Sequence, residues 1–299
     1  MLDSMPLARY AAKHWIDHAK SGGMDPSVLP LILHFFTSKS DPFKNWIRIH
    51  DIDSFFVPMD LGKKDFGSPL YYSSLAGMQE VSDCLLQMEE NANAKGGRFG
   101  NALQAASCMG NEALVKLLLE NGAEVNAEGG YFGNSLQAAA ASYGGNESIV
   151  KLLLENGAEV NKEGGFYGNA LQAASYQGNE AIVKLLLENG AEVNAEGGYY
   201  GNALLAAAAS YPPSNEVVVK LLLDNGAEVN AVEGGKYGNA LHAASSCGRS
   251  EGNEAIVKLL LENGHQENSK MLSHAYLYLF ALVLKIRSFF SYLGLKFIR

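Results

Sequence analysis

The stretch from Gly168 to Asn194 reads GNALQAASYQGNEAIVKLLLENGAEVN, and close variants of it occur five times in this chain of 299 residues. Each copy opens with a Gly-Asn pair, at Gly100, Gly133, Gly168, Gly201 and Gly238. The offsets between these glycines are 33, 35, 33 and 37 residues. A period of this length is typical of a solenoid, in which each supersecondary unit stacks on the next.

The second half of each copy predicts a helix with clear boundaries. In the Gly168 copy, Asn179 occupies the position of an N-cap residue. Ile182, Leu185 and Leu186 recur at i, i+3 and i+4 and so form one apolar face. Gly190 follows, and glycine takes the left-handed conformation that ends many helices. We therefore expect an amphipathic helix that ends at this glycine.

The first half of each copy predicts a shorter helix, whose small residues Ala170, Ala173 and Ala174 allow a close neighbour. Between copies lies a polar stretch, AEVNAEGGYY in one case. Its two glycines permit positive φ angles, which favours a hairpin-like turn. Two helices of this size cannot bury their apolar faces alone, so we expect the copies to stack and cover one another.

The repeat resembles the ankyrin repeat. The pattern TPLHxAA followed by GHxxIVxLLLxxGAxVN maps onto each copy, with Asn and Ala in place of Thr and Pro. His242 keeps the histidine of the pattern, and other residues replace it at Gln104, Gln137, Gln172 and Leu205. A sixth, degenerate copy starts at Ser68. The resemblance implies an all-α ankyrin-repeat solenoid of about six repeats over residues 67–264, built of helix-turn-helix units and β-hairpin-like turns.

Residues 1–66 are not repetitive and form a helical N-terminal segment in our interpretation, acting as a cap or a linker. From Pro6 to Ala19 they read PLARYAAKHWIDHA, which resembles a segment between the ATPase module and the ankyrin repeats of fungal NACHT-type signalling ATPases. That resemblance implies an alternative function, as a sensor or regulatory fragment of such a protein. The sequence contains no GxxxxGK[ST] motif, so this fragment lacks the nucleotide-binding domain.

Residues 265–299 form a hydrophobic, basic tail. Its apolar run from Met271 to Leu284 is shorter than the roughly 20 residues that span a bilayer. Three interpretations stay open: a cap on the last repeat, a segment at a membrane interface, or a non-native tail from an error in the gene model. Membrane contact through residues 271–299 is not the favoured one.

The net charge limits the class of binding partner, and the cysteine content indicates the cellular compartment. The net charge is −9, and residues 96–264 carry 9 Lys and Arg against 19 Asp and Glu, a local net charge of −10. Such a surface repels a phosphate backbone, so we predict a protein partner with a basic or neutral surface and no nucleic acid. The alternative is that the glutamates on the outer helix faces serve only to keep the array soluble. Cys84, Cys108 and Cys247 are too few and too far apart for a disulfide framework or a zinc site. The prediction is a cytoplasmic, intracellular protein.

The sequence also predicts that the protein is not an enzyme. It contains no HExxH, no GxSxG and no dinucleotide-binding fingerprint in a βαβ context. His14 and His18 lie at i and i+4, but no third metal ligand accompanies them. The sequon at Asn146 coincides with a helix start, so we interpret Asn146 as an N-cap residue and not as a glycan acceptor. We expect no catalytic residue, no cofactor and no metal.

Two variable places in the repeat are the candidate partner-binding sites. After the Gly-Gly pair one position is always aromatic, and we expect a structural ladder of Phe99, Phe132, Tyr167, Tyr200 and Tyr237. The position before it varies, as interface residues on a constant scaffold do, and comprises Arg98, Tyr131, Phe166, Tyr199 and Lys236. The second place is the connection between the two helices, where neutral drift competes with a binding role for Tyr143, Tyr176 and Tyr211.

Overall fold

The computed structural model describes residues 14–19, 27–37, 42–49, 66–142, 145–210, 215–231, 235–246 and 251–267. Within these ranges the regular secondary structure is helical, and the predicted all-α fold is confirmed. The N-terminal part contributes α1 (14–19), α2 (Leu29–Thr37) and α3 (Pro42–Ile49).

Six helix pairs follow in sequence order, each with a short inner helix and a longer outer helix. The pairs are α4 (Pro69–Leu75) and α5 (Gln79–Gln87), α6 (Ala102–Cys108) and α7 (Glu112–Glu120), α8 (Ser135–Ala140) and α9 (Glu147–Glu155), α10 (Ala170–Gln177) and α11 (Glu180–Glu188), α12 (Ala203–Ala208) and α13 (Glu216–Asp224), and α14 (Ala240–Ser246) and α15 (Glu251–Glu267). Each pair packs against the next pair in the chain, so one continuous apolar core runs through the array.

The inner helices start at the asparagine that replaces the threonine of the pattern. Asn169 is extended, and its side-chain oxygen accepts a hydrogen bond from the Gln172 N–H at 2.9 Å. The same bond starts the other inner helices of the five clear copies, at Asn101, Asn134, Asn202 and Asn239. Because an asparagine oxygen satisfies an orphan N–H as a threonine hydroxyl does, the substitution preserves the helix start.

The outer helices bury one face and end as the sequence predicts. Ile182 and Leu186 of α11 have no exposed surface. Gly190 has φ +84°, and the Ala191 N–H donates to the Leu186 carbonyl at 3.0 Å, which completes a Schellman motif. In the last copy, α15 instead continues past Gly264, which does not adopt the left-handed conformation there.

Asn146 is the N-cap residue of α9, as predicted, but its side chain does not make the expected cap bond. Its amide instead donates to the Ser142 hydroxyl at 2.8 Å. Asn215 is likewise an N-cap residue without a cap bond, and its amide donates to the Ser175 carbonyl of the preceding copy at 2.8 Å. Both asparagines follow a lengthened connection, whereas Asn179 follows a short one and does cap its helix. The Ser142 partner of Asn146 lies in the lengthened connection itself, whereas the Ser175 partner of Asn215 lies in α10 of the preceding copy.

A column of asparagines joins the first five repeats in succession. The Asn161 amide donates to the Gly190 carbonyl at 3.0 Å, and its oxygen accepts from the Glu192 N–H at 2.9 Å. The same paired bonds recur at Asn93, Asn126 and Asn194. Each side chain therefore satisfies two backbone groups of the neighbouring repeat at once.

Aromatic residues of the N-terminal helices lie against the first repeat. Trp15 contacts Trp46 edge-on at 5.6 Å, and Phe43 and Trp46 contact Tyr72 of α4 at 5.6 and 6.1 Å between ring centroids. These contacts cover the side of the first repeat that has no repeat before it. The domain boundaries at 66 and 264 stay predictions, and the three interpretations of the tail concern residues 271–299, outside the described ranges.

Candidate protein-interaction site

The tips of the hairpin-like turns are shaped by their paired glycines. The Gly197 N–H donates to the Gly201 carbonyl at 2.8 Å and closes the turn. Gly198, with φ +63°, lies directly on the backbone of the preceding tip at Tyr167. A Cβ at Gly198 would lie 2.4 Å from the nitrogen of Gly168, so only glycine permits this approach.

The tips are joined to one another by backbone hydrogen bonds. The N–H groups of Tyr131, Phe166 and Tyr199 each donate at 2.8 Å to the carbonyl of the corresponding residue one repeat earlier. The Lys236 N–H donates to the Tyr199 carbonyl at 3.0 Å. Hydrogen-bonded backbones lie about 5 Å apart, whereas packed helices lie about 8–10 Å apart. The array therefore curves, with the tips on its inner edge.

The outer row comprises the residues at these tips: Arg98, Tyr131, Phe166, Tyr199 and Lys236. The Tyr131 and Phe166 rings stack at 5.0 Å between centroids, and the Phe166 and Tyr199 rings at 4.7 Å. A cation lies at each end, with Arg98 5.8 Å from the Tyr131 ring and Lys236 5.4 Å from the Tyr199 ring. The five positions predicted as one partner-binding set are thus brought together in a single line.

Exposure within the outer row increases toward its C-terminal end. Tyr131 and Phe166 are half-buried, Tyr199 is 38% exposed, and Lys236 is exposed. Contact with the Tyr199 hydroxyl raises the pKa of the Lys236 ammonium, which therefore stays charged at neutral pH. The row offers ring edges, tyrosine hydroxyls and one accessible cation to an incoming partner.

The inner row comprises Phe99, Phe132, Tyr167 and Tyr200, one residue further along each tip. Their ring centroids lie 5.5, 6.2 and 6.2 Å apart, and each residue is at most 6% exposed. This part of the predicted structural ladder is confirmed. Burial of the inner row makes the tips rigid and leaves the outer row as their accessible side chains.

Tyr176 belongs to the ladder and not to a loop. It lies in the last turn of α10, with its ring 4.7 Å from Tyr200 and 5.6 Å from Tyr167. Burial is the main reason why the pKa of the Tyr200 hydroxyl lies above its usual value, and a hydrogen bond with Tyr176 is the second. The structure thus places Tyr176 beside the inner row. Tyr143 and Tyr211, predicted with it, lie outside the described residues.

Carboxylates line the segment that leads into each tip. Glu128 pairs with Lys162 of the next repeat at 2.8 Å, and this contact lowers the pKa of the Glu128 carboxyl. The corresponding Glu163 and Glu196 are exposed. The edge therefore combines aromatic rings with negative charge, in keeping with the local net charge of the repeats.

The glutamines that replace histidine have a role that the sequence did not reveal. Gln104 is fully buried, and its amide nitrogen lies 3.1 and 3.2 Å from the carbonyls of Ala127 and Gly129 in the next hairpin. Gln137 and Gln172 reach the next hairpin in the same way, at 3.0 and 3.1 Å. The change from His to Gln was the only signal in the sequence, and it does not show where the side chain points.

The described ranges contain no group of three or more His, Cys, Asp or Glu residues arranged to hold a metal ion. In the same ranges, no helix is both long enough and apolar enough to cross a membrane.

Comparison with known proteins identifies the repeat. Residues 135–233 match a family model of three ankyrin repeats, and residues 101–129 match the model of a single ankyrin repeat. The human ASB11 ankyrin repeat domain is similar in structure, with a TM-score of 0.54 and 28% identity over 66% of this chain and 84% of that one. The azaphilone pigments biosynthesis cluster protein L of Monascus ruber is 33% identical over 117 residues, which cover 33% of this chain. The match spans 24% of that relative's length.

Proposed function

We propose that the chain, in which residues 101–129 and 135–233 match models of the ankyrin repeat, is a non-catalytic scaffold that binds partner proteins along the outer row. The observation that supports this proposal is the line of stacked rings at the tips, held by a buried inner row. Tyrosine and arginine are rich in binding energy at protein interfaces. A rigid edge of this kind also loses little conformational entropy when a partner docks.

The partner we propose has a basic or neutral surface. Residues 96–264 carry a net charge of −10, and exposed carboxylates flank the outer row. Complementary charge speeds the encounter with such a partner and disfavours nucleic acid. The cytoplasmic location predicted from the cysteine content belongs to the same proposal.

A peptide array probed with the labelled full-length chain tests the function. We expect Lys- and Arg-containing peptides to be enriched among the bound ones, and binding to fall at least tenfold in Phe166→Ala and Tyr199→Ala. Val217→Ala is the matched control, since Val217 is 53% exposed on an outer helix away from the tips. Circular dichroism establishes that each variant is folded. Folded Phe166→Ala and Tyr199→Ala variants that bind as the control does would contradict this placement of the contact edge.

The alternative, a fragment of a NACHT-type signalling ATPase, rests on the stretch from Pro6 to Ala19. Of that stretch the structure describes residues 14–19, which are helical. An in-frame nucleotide-binding module encoded directly upstream of Met1 would support this alternative. A transcript that starts at Met1 and lacks such a module would contradict it.

A further inference from the structure

The stacked rings of the outer row turn their faces toward one another. The ring planes of Tyr131 and Phe166 make an angle of 17°, and those of Phe166 and Tyr199 an angle of 21°. At the two ends of this stack, Arg98 lies 5.8 Å from the Tyr131 centroid and Lys236 lies 5.4 Å from the Tyr199 centroid. A partner that approaches the row from solvent therefore meets ring edges and not ring faces.

The accessible groups of the row act mainly as hydrogen-bond donors. Ring edges carry the positive part of the aromatic quadrupole. At the exposed end, the row adds the hydroxyl of Tyr199, whose side chain is 38% exposed, and the ammonium of Lys236, which only donates. Such an edge favours a ligand with many uncommitted carbonyl groups.

A polyproline II segment is the backbone that offers such carbonyls. A helix and a paired strand use their carbonyls in internal hydrogen bonds, whereas polyproline II forms none. Proline suits the edge for a second reason, because it has a carbonyl but no N–H that binding would leave unsatisfied. The chemistry of the row therefore favours a ligand rich in proline.

The spacing of the rings fits the same conformation. The steps from Tyr131 to Phe166 and from Phe166 to Tyr199 are 5.0 and 4.7 Å between centroids. One turn of polyproline II rises about 9.3 Å over its three residues, so two steps of the row match one turn. In an extended strand, residues on one side recur about every 6.6–6.8 Å, which matches neither one step nor two. A ligand residue against Tyr131 thus places the third residue after it against Tyr199.

A strip of glycine backbone lies between the row and its flanking carboxylates. On two neighbouring tips, an exposed glutamate, two exposed glycines and a ring of the row follow one another, over residues 163–166 and 196–199. The glycine strip, residues 164–165 and 197–198, has no side chains that would obstruct a ligand. Glu163 and Glu196 beyond it are exposed, so they are accessible to lysine or arginine side chains next to the prolines.

We propose that the outer row and the glycine strip bind a proline-rich segment of a partner protein in the polyproline II conformation, with lysine or arginine beside the prolines. This inference rests on the proposed function and adds the class of peptide that the row selects. The carbonyls of the segment lie against the ring edges and the Tyr199 hydroxyl, and its cations face Glu163 and Glu196. A segment that already has this conformation loses little entropy on binding.

Fluorescence anisotropy with the full-length chain compares two labelled peptides of equal length and charge. One has prolines in its centre and arginines at one end, and the other has alanine in place of every proline. We expect the proline peptide to bind at least tenfold more tightly, and Phe166→Ala to remove the difference. Tyr199→Phe, which keeps the ring but removes the hydroxyl, should weaken the binding of the proline peptide about two- to tenfold, the effect of one hydrogen bond.

A double variant tests where the cations of the ligand lie. Glu163→Gln combined with Glu196→Gln should weaken the binding of the proline peptide about fivefold at low salt and leave a proline peptide without arginines unaffected. The matched control combines Glu155→Gln with Glu188→Gln, which removes two exposed carboxylates at the ends of α9 and α11 and should bind as the wild type does. Equal effects of the two double variants would overturn the proposed placement of the ligand.

The outcomes separate this inference from the proposed function. Equal binding of the two peptides, still sensitive to Phe166→Ala, would mean that the row binds peptides without selecting polyproline II, and only this inference would be wrong. The same holds if neither peptide binds while Lys- and Arg-containing peptides of the array do. If no peptide binds in either experiment, the proposed function fails as well.

Discussion

Replacing Gly165 by alanine tests whether the contact between successive tips holds the array together. A Cβ at this position would lie 2.5 Å from the Gly133 nitrogen and still closer to the Phe132 carbonyl. All of these are backbone atoms, which cannot rotate away as a flexible side chain does. The tip that carries Phe166 must therefore move away from the tip before it.

The cost follows from three contributions. A left-handed φ, here +63°, costs alanine about 1–2 kcal/mol. Separation of the tips removes the Phe166–Tyr131 backbone bond, worth about 0.5–1.5 kcal/mol. It also removes the stacking of the same two rings, worth about 0.5–1.5 kcal/mol. We expect Gly165→Ala to lower the free energy of unfolding by about 2–5 kcal/mol.

Gly157→Ala is the matched control. Gly157 also has a left-handed φ, +85°, but no atom lies within 4 Å of the place where its Cβ would be. In this variant the free energy of unfolding should fall by only about 1–2 kcal/mol, the cost of the left-handed backbone conformation for alanine. Urea unfolding followed by circular dichroism and by tyrosine fluorescence measures both variants. Equal losses of stability in the two variants would refute the argument from contact between the tips.

Three further outcomes follow from the burial of single residues. Leu186→Ala, which truncates a fully buried side chain in the middle of the array, should lower the free energy of unfolding by about 2–5 kcal/mol in the same urea assay. Burial raises the pKa of the Cys108 thiol to about 12, so at pH 8 iodoacetamide should label Cys108 at least a hundredfold more slowly in the native chain than in urea, by peptide mass spectrometry. Burial also raises the pKa of the Tyr200 hydroxyl, so the folded chain keeps a proton that the unfolded chain loses above about pH 10. Stability should therefore fall as the pH rises past 10, and Tyr200→Phe should reduce that fall; a pH-independent urea midpoint between pH 9 and 11 would contradict this assignment.

The helical part of the fold was predictable because its signals are local. The apolar face of Ile182 and Leu186, the caps and Gly190 all act within one repeat, and the period fixed the order of the pairs. The inner row was predictable for a related reason, since one aromatic residue per period on a stacked array falls on one line.

The features that the sequence did not reveal depend on contacts between repeats. Two cap positions with the same residue differ in their bonds: the Asn146 amide donates to the Ser142 hydroxyl, whereas the Asn179 oxygen accepts from the Ile182 N–H. The stacking of the outer row requires tips about 5 Å apart, a spacing that follows from backbone bonds and not from residue type. The tie of Gln172 depends likewise on where the next hairpin lies.

The close spacing of the tips makes every repeat a wedge, narrow where Tyr131 and Phe166 stack and broad where the outer helices pack. Duplication or loss of one copy in the gene would consequently turn the two ends of the molecule relative to each other, besides changing its length. Chains built with a different number of these copies would present their two ends at different angles.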